Sequence, residues 1–287
     1  MDKKVLNKML RPTSVAVIGA SATPGKIGYS VIKNLLKDGY KGKIYPINQK
    51  ESEILGIKCY AEVQDVPGNI DSAIMCVPAK VMPEVTEECG KKGIKGLIVI
   101  TSGFSEVGRK DLEDQVVEIA RRYGMRVLGP NIVGSLSNSD KFNGSFCPSL
   151  PLPGKASLIS QSGALLIALA MATWTRKVGF DKLISIGNMA DVDFADLIEW
   201  FDDDDDTSCV CLYIEGLKNG RRFIDAAKNS KKPIIALKSG VSAHGAAAAA
   251  SHTGSLAGAA KVYGSAFKQA GVIQATDLDN LFDRTLG

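Results

Sequence analysis

Short apolar runs alternate with amphipathic ones along most of the chain. Ser14-Val15-Ala16-Val17-Ile18 is rich in β-branched residues and closes on Gly19; after a Gly/Ser/Pro segment, Val31, Ile32, Leu35 and Leu36 recur at helical spacing. The pattern predicts a strand, a loop and a helix. It continues with strands near 43–47, 72–77, 96–100 and 126–128, and helices near 80–92 and 106–123. Strands apolar at nearly every position are covered on both faces, which predicts a doubly wound parallel α/β sheet. From Asn131 to Lys155 the periodicity dissolves into Asn, Ser, Gly and Pro, ending in Pro148-Ser149-Leu150-Pro151-Leu152-Pro153-Gly154. The expected organisation is therefore a first domain over 1–130, a linker over 131–155 and a second domain over 156–287. The second series has strands near 156–160, 183–186, 209–215 and 233–238, with helices near 164–177, 194–201, 221–229 and 255–269. That series resembles a flavodoxin-like layered sandwich.

Composition narrows the function classes. A chain of 287 residues is long enough for two cores. Its 35 basic and 31 acidic residues are spread along the sequence without a Lys/Arg block, and aromatics make up only 6%, so nucleic acid is not an expected partner. The six cysteines (Cys59, Cys76, Cys89, Cys147, Cys209 and Cys211) show no C-x-x-C spacing. Several lie in apolar runs and read as small buried hydrophobes in a reducing compartment. Met1-Asp2-Lys3-Lys4 leads into no signal-type apolar segment, and Ala164 to Trp174 is too short to span a bilayer. A cytoplasmic protein without a membrane partner is expected. The acidic run Asp202 to Asp206 reads as a solvated turn after a helix, and no metal site is assigned to it.

The loops at carboxyl strand ends carry the candidate chemistry. Gly19-Ala20-Ser21-Ala22-Thr23-Pro24-Gly25-Lys26-Ile27-Gly28 sits where a dinucleotide fingerprint would, but Ser21 stands where a second glycine is required. The second strand ends in Pro46-Ile47-Asn48 and offers no acidic residue for a ribose, so NAD becomes the lesser reading. A Gly/Ser/Thr loop opening a helix, with Lys26 nearby, suits another phosphorylated ligand. Val77-Pro78-Ala79, Thr101-Ser102-Gly103-Phe104 and Gly129-Pro130-Asn131 end further strands. Taken singly each is turn chemistry; together at one sheet edge they favour a pocket.

In the second half, Ile159-Ser160-Gln161-Ser162-Gly163-Ala164-Leu165 again runs from strand to helix, and Ser162 or Gly163 is either a helix cap or part of an anion cradle. Tyr213-Ile214-Glu215-Gly216 ends an apolar strand on a carboxylate, which is costly there unless paired, and histidine is a fitting partner. Only two histidines occur. His252 lies in Ser251-His252-Thr253-Gly254-Ser255, a small-residue loop ahead of a predicted helix, and reads either as an idle neighbour of a helix cap or as part of an anion site. His244, in Ala243-His244-Gly245, lacks the Ser/Thr neighbours and is the weaker candidate.

Taken in order, Ser14 to Gly28, Leu128-Gly129-Pro130-Asn131, Ser160-Gln161-Ser162-Gly163, Tyr213-Ile214-Glu215-Gly216 and Ser251 to Ser255 resemble the NDP-forming acyl-CoA synthetases. The likeness is strongest to the α subunit of ADP-forming acetyl-CoA synthetases, and succinyl-CoA ligase α is a more distant relative. The resemblance implies a Rossmann-like CoA-binding domain followed by a flavodoxin-like, succinyl-CoA-synthetase-type domain. It implies CoA held by Gly19, Ser21, Thr23, Pro24, Lys26, Asn48, Val77, Pro78, Thr101, Ser102 and Asn131. His252 would carry a phosphoryl group, Glu215 would orient its ring, and Ser162, Gly163, Ser251, Thr253 and Gly254 would hold the phosphate. Ile132 stands where relatives often have Cys. Nothing in the chain resembles an ATP-grasp domain or a Walker loop, so an ATP-grasp β subunit or domain carrying ADP/ATP and Mg is the expected partner, in a hetero-oligomer. The alternatives are a non-catalytic CoA-binding regulatory or scaffold module and, further off, an NAD-dependent oxidoreductase.

Overall fold

Ser14–Ile18 is buried at every position and forms β1, which pairs in parallel with β2 (Lys43–Ile47) on one side and β5 (Ser72–Met75) on the other. The structure, a computed structural model, describes residues 3–240 and 260–286. The chain divides into two units: Met1–Leu150 with Ser185–Val192, and Pro151–Ile184 with Asp193–Gly287.

In the first unit, β6 (Gly96–Val99) and β7 (Arg126–Leu128) complete a parallel sheet of order β2-β1-β5-β6-β7. Helices α2 (Ile27–Lys37), α3 (Met82–Lys91) and α4 (Lys110–Arg122) alternate with these strands. The result is the expected Rossmann-like arrangement, and it places the loops after β1, β2, β5, β6 and β7 at the carboxyl edge of one sheet. Helix α1 (Lys3–Leu10) precedes the first element legible in the sequence and buries Leu6, Met9 and Leu10. A two-residue antiparallel pair, β3 (Glu53–Ile54) with β4 (Ile57–Lys58), follows β2.

The stretch 131–155 is not the irregular linker that its composition suggests. It contains an antiparallel pair, β8 (Gly134–Ser137) and β9 (Phe142–Ser145), buried at every position. Polar residues fit there because their hydrogen bonds are supplied by side chains. The Asn34 amide donates to the carbonyls of Ser145 (2.9 Å) and Cys147 (2.8 Å), and Asn143 donates to Asp38 (2.8 Å). The first unit also includes 185–192, where Asp191 accepts from Arg126 Nε (2.6 Å) and the Val127 N–H (3.0 Å).

In the second unit the strands run β14-β13-β12-β10-β11: β10 is Ala156–Ser160, β11 Phe180–Ser185, β12 Cys209–Ile214, β13 Ile234–Lys238 and β14 Ile273–Ala275. Adjacent β10, β12, β13 and β14 are parallel. Helices α5 (Gly163–Arg176), α6 (Phe194–Phe201), α7 (Gly220–Asn229), α8 (Ala260–Ala270) and α9 (Leu278–Leu286) accompany them, matching the flavodoxin-like expectation. The predicted start of α8 at 255 lies outside the described residues.

The acidic run Asp202 to Asp206 departs from the solvated turn expected of it. Asp204 is buried and accepts from buried Lys182 Nζ at 3.0 and 2.9 Å, and from Thr207 Oγ1 at 2.6 Å. Asp202 accepts from Ser230 Oγ and the Lys231 N–H. Among the described residues no group of three or more His, Cys, Asp or Glu is placed to hold a metal ion, and no helix is long and apolar enough to cross a membrane.

Candidate functional site

In the first unit, the loop after β1 turns at Gly19, whose φ is +83°. A Cβ there would lie 2.7 Å from the Cys76 carbonyl oxygen, and one at Gly28 would lie 2.2 Å from the Gly19 oxygen. Both glycines are therefore needed for α2 to start hard against the strand end. Helix α2 opens at Lys26 without a side-chain cap, and an uncapped helix start beside an exposed loop is the kind of place that suits an anion. Thr23, Pro24 and Lys26 are exposed and Ser21 is half-buried; Ser21 Oγ accepts the Thr23 N–H at 3.1 Å.

The remaining loops of this edge are tied to one another. Asn48 Nδ2 donates to the Ala20 carbonyl at 2.7 Å and its Oδ1 accepts from the Lys50 N–H at 2.8 Å, joining the β2 loop to the β1 loop. Thr101 Oγ1 donates to the Val77 carbonyl at 2.7 Å. The Asn131 N–H donates to the Thr101 carbonyl at 2.9 Å, with Asn131 itself in the left-handed region at φ +61°. Pro78, Ser102 and Asn131 face solvent and Val77 is half-buried. All eleven residues expected to hold CoA lie at this edge, on the loops after β1, β2, β5, β6 and β7.

In the second unit, Ser162 is the N-cap of α5 and accepts the Leu165 N–H at 3.3 Å. Ser162 therefore caps α5 through its side chain, and Gly163 is the first helical residue. Glu215 follows β12 and is half-buried. Its position is set by a residue that the sequence reading did not select. Gln161 Oε1 accepts the backbone N–H groups of Glu215 (2.6 Å) and Gly216 (2.9 Å), while the Gln161 N–H donates to the Tyr213 carbonyl at 3.2 Å. The carboxylate-bearing turn is therefore stitched to the residue that precedes the α5 cap.

Lys238, at the end of β13, is the second residue missed. It is only 3% exposed, and its Nζ donates to the Ser239 carbonyl and lies 4.7 Å from the Tyr263 ring centre. Burial pushes its ammonium below the ordinary lysine value, and the Glu215 charge opposes that shift. Burial, reinforced by Glu215, also raises the Tyr213 phenol. The rule that singled out Glu215, an ionisable residue closing an apolar strand, applies equally to Ile234 to Lys238. Gln161 had a fainter signal, as the one long polar side chain in a strand-to-helix turn of small residues. Ser251, His252, Thr253, Gly254 and His244 lie outside the described residues.

Two family models account for most of the chain: the CoA binding domain over residues 13–136 and the succinyl-CoA ligase like flavodoxin domain over 153–286. The chain is 54% identical over 97% of its length to the α subunit of the ADP-forming acetate–CoA ligase I of Pyrococcus furiosus, of which it covers 62%. The chain belongs to the family that joins a CoA binding domain to a succinyl-CoA ligase like flavodoxin domain. A second member, the ADP-forming acetate–CoA ligase of Methanocaldococcus jannaschii, is 53% identical over 95% of this chain, which covers 38% of it. Among solved structures, the dinucleotide-forming acetyl-coenzyme A synthetase 1 of Ca. Korarchaeum cryptofilum, in complex with phosphate and ADP, superposes with a TM-score of 0.94 at 47% identity. That match takes in 98% of this chain and 61% of the other. The chain thus spans less than two thirds of each of these three relatives.

Proposed function

We propose that this chain is the CoA-binding and phosphohistidine-bearing portion of an ADP-forming acyl-CoA ligase. Phosphate attacks the thioester carbonyl of acyl-CoA, the C–S bond breaks, and CoA leaves as an acyl phosphate forms. A ring nitrogen of His252 then attacks phosphorus, the acyl P–O bond breaks, the carboxylate leaves and a P–N bond forms. The phosphoryl group finally passes to ADP to give ATP, and every step is reversible.

Each residue has a physical role in this reading. A neutral imidazole is nucleophilic near pH 7, and its P–N bond stays reactive enough to hand the group on. Glu215 accepts the other ring N–H, fixing the tautomer and offsetting the charge that develops on the ring. Ser162 and Gly163, with Ser251, Thr253 and Gly254, hold the phosphoryl oxygens through backbone N–H groups and the positive end of α5. CoA lies along the carboxyl edge of the first unit's sheet, on Gly19, Ser21, Thr23, Pro24, Lys26, Asn48, Val77, Pro78, Thr101, Ser102 and Asn131. The partner is an ATP-grasp β subunit or domain that binds ADP/ATP and Mg, in a hetero-oligomer. Acetate is the first acyl group to test, given the names of the relatives. All six cysteines are free, in keeping with a cytoplasmic setting.

The observation that most supports this reading is the Gln161 bridge, which ties the Glu215 turn to the start of α5. The test is phosphorylation of the chain by acetyl phosphate and, with an ATP-grasp partner, by ATP, followed by mapping of the acid-labile phosphate. The expected result is label on His252, absent in His252→Ala. Label that survives this substitution, or that maps to His244, overturns the assignment. Calorimetric titration that detects NAD but no CoA overturns the role of the first unit.

A further inference from the structure

The segment Ser185–Val192 closes β11 and runs on toward α6, yet it belongs to the first unit. It lies along β7 and the loop that follows. The N–H groups of Asn188, Ala190 and Val192 donate to the carbonyls of Pro130 (3.0 Å), Gly129 (2.9 Å) and Val127 (3.1 Å). Asp191 pins the far end, accepting from Arg126 Nε at 2.6 Å and from the Val127 N–H at 3.0 Å. The approach is close enough to require glycine at 187, where φ is +46° and a Cβ would stand 2.3 Å from the Pro130 oxygen and 2.4 Å from the Asn131 oxygen. Asn131 and Met189 also occupy the left-handed region, at φ +61° and +51°, a conformation kept only where the surroundings over-determine the backbone.

The Asn188 side chain makes a second set of bonds. Its Nδ2 donates to Glu106 Oε2 at 2.6 Å, Glu113 Oε2 at 2.9 Å and Ser105 Oγ at 3.1 Å, and its Oδ1 accepts from Asn131 Nδ2 at 3.4 Å. Two hydrogens shared among three acceptors leave this amide no donor for a ligand. Glu113, on α4, is only 2% exposed. A carboxylate buried that far needs donors, and the Ser105 hydroxyl supplies another at 2.6 Å. Glu106 carries the connection onward, since its carboxylate also accepts the N–H groups of Gly103 (2.5 Å) and Phe104 (3.2 Å). That turn comes directly after Thr101 and Ser102. One asparagine therefore joins the loop after β6, through its side chain, to the loop after β7, through its backbone.

We propose that Asn188 is a positioning residue for CoA: it sets the spacing between the Thr101-Ser102 loop and the Asn131 loop, so CoA binding depends on a residue that the chain supplies from between β11 and α6. Hydrogen bonds to carboxylates are among the strong ones. A site spread over two loops is only as well formed as the contacts that support it from behind. Asn188 acts through those loops, because its own amide is spent on Glu106, Glu113 and Ser105. The inference rests on the CoA placement proposed above.

The test is calorimetric titration of CoA into the full chain carrying Asn188→Ala or Gly187→Ala. Asn188→Ala should raise the Kd roughly tenfold or more. Gly187→Ala keeps the amide but forces the two backbones apart, and should raise the Kd as well. Labelling of His252 by acetyl phosphate needs no CoA and should keep its wild-type rate in both variants. An unchanged Kd in folded Asn188→Ala overturns the proposal, and so does a loss of CoA binding matched by an equal loss of labelling, which marks a merely structural role. If neither variant folds, hydrogen exchange in the wild type decides. With CoA at about 100 times its Kd, the N–H groups of Asn188, Ala190 and Asn131 should slow together by at least about tenfold, and by more than that of Leu212 in β12. Slowing confined to Asn131, or no greater than that of Leu212, overturns the proposal. Failure of the wild type to bind CoA instead overturns the placement on which it rests.

Discussion

Gln161 Oε1 accepts the N–H of Glu215 at 2.6 Å and that of Gly216 at 2.9 Å, so one amide at the end of β10 sets the backbone that carries the candidate catalytic carboxylate. Replacing Gln161 by leucine keeps the size but leaves two part-buried N–H groups without their acceptor. Denaturant unfolding should show a loss of about 1–3 kcal/mol, and labelling of His252 should slow by at least about tenfold, the cost of displacing an orienting group. Wild-type labelling in a folded Gln161→Leu protein would show that the bridge is only structural.

Asn48 plays the corresponding part in the first unit, bonding Ala20 and Lys50 at once. Asn48→Ala frees the loop after β1 and should weaken CoA binding by roughly fivefold to tenfold, the value of about one hydrogen bond. Calorimetry reads this directly. Labelling by acetyl phosphate, which needs no CoA, should stay within about twofold of the wild type, separating CoA binding from phosphoryl transfer.

The Lys182 cluster makes a prediction about stability alone. Its Nζ is bonded to Asp204 and to Asp181, and all three side chains are at most 4% exposed. Lys182→Met removes the ammonium that two buried carboxylates share and should cost about 3–5 kcal/mol. Adding Asp204→Leu should recover part of that loss, since the second change removes a buried charge that the ammonium no longer offsets. Thermal melts of the two variants check the order.

Glu106 predicts an acid-dependent term. Burial opposes its ionisation, but the Asn188 amide (2.6 Å) and the N–H groups of Gly103 and Phe104 outweigh it and hold the carboxyl below the ordinary glutamate value. A depressed carboxyl stabilises the fold fully above the unfolded value of about 4.3, and that contribution is lost as the pH falls through the lower folded value. Wild type should therefore be more stable than Glu106→Gln at pH 7, with the gap closing below about pH 4. A gap independent of pH would show that the carboxylate charge contributes nothing.

Much of the fold could be read from the chain because its strands are apolar throughout. Ser14–Ile18 and Ala156–Ser160 match their predicted bounds closely. Polar segments misled the reading where burial is made possible by distant bonds. Phe142–Ser145 resembles loop in composition, and it is a buried strand because Asn34 and Asp38, more than a hundred residues earlier, bond it and its flank. Asp204 reads as part of a solvated run until Lys182, 22 residues away, is found against it.

The same division holds at the site. Sequence alone determined the βα alternation, the loops that end its strands, and the ordered motifs that assign the family, because apolar period and turn chemistry are local properties of the chain. Only the tertiary structure decided that Gln161 positions Glu215 and that Lys238 closes the neighbouring strand. Those relationships depend on which strands lie side by side: β10, β12 and β13 are adjacent in the sheet though dozens of residues separate them in the chain. An ionisable side chain at the end of a strand takes its charge state from such neighbours, and no local pattern names them.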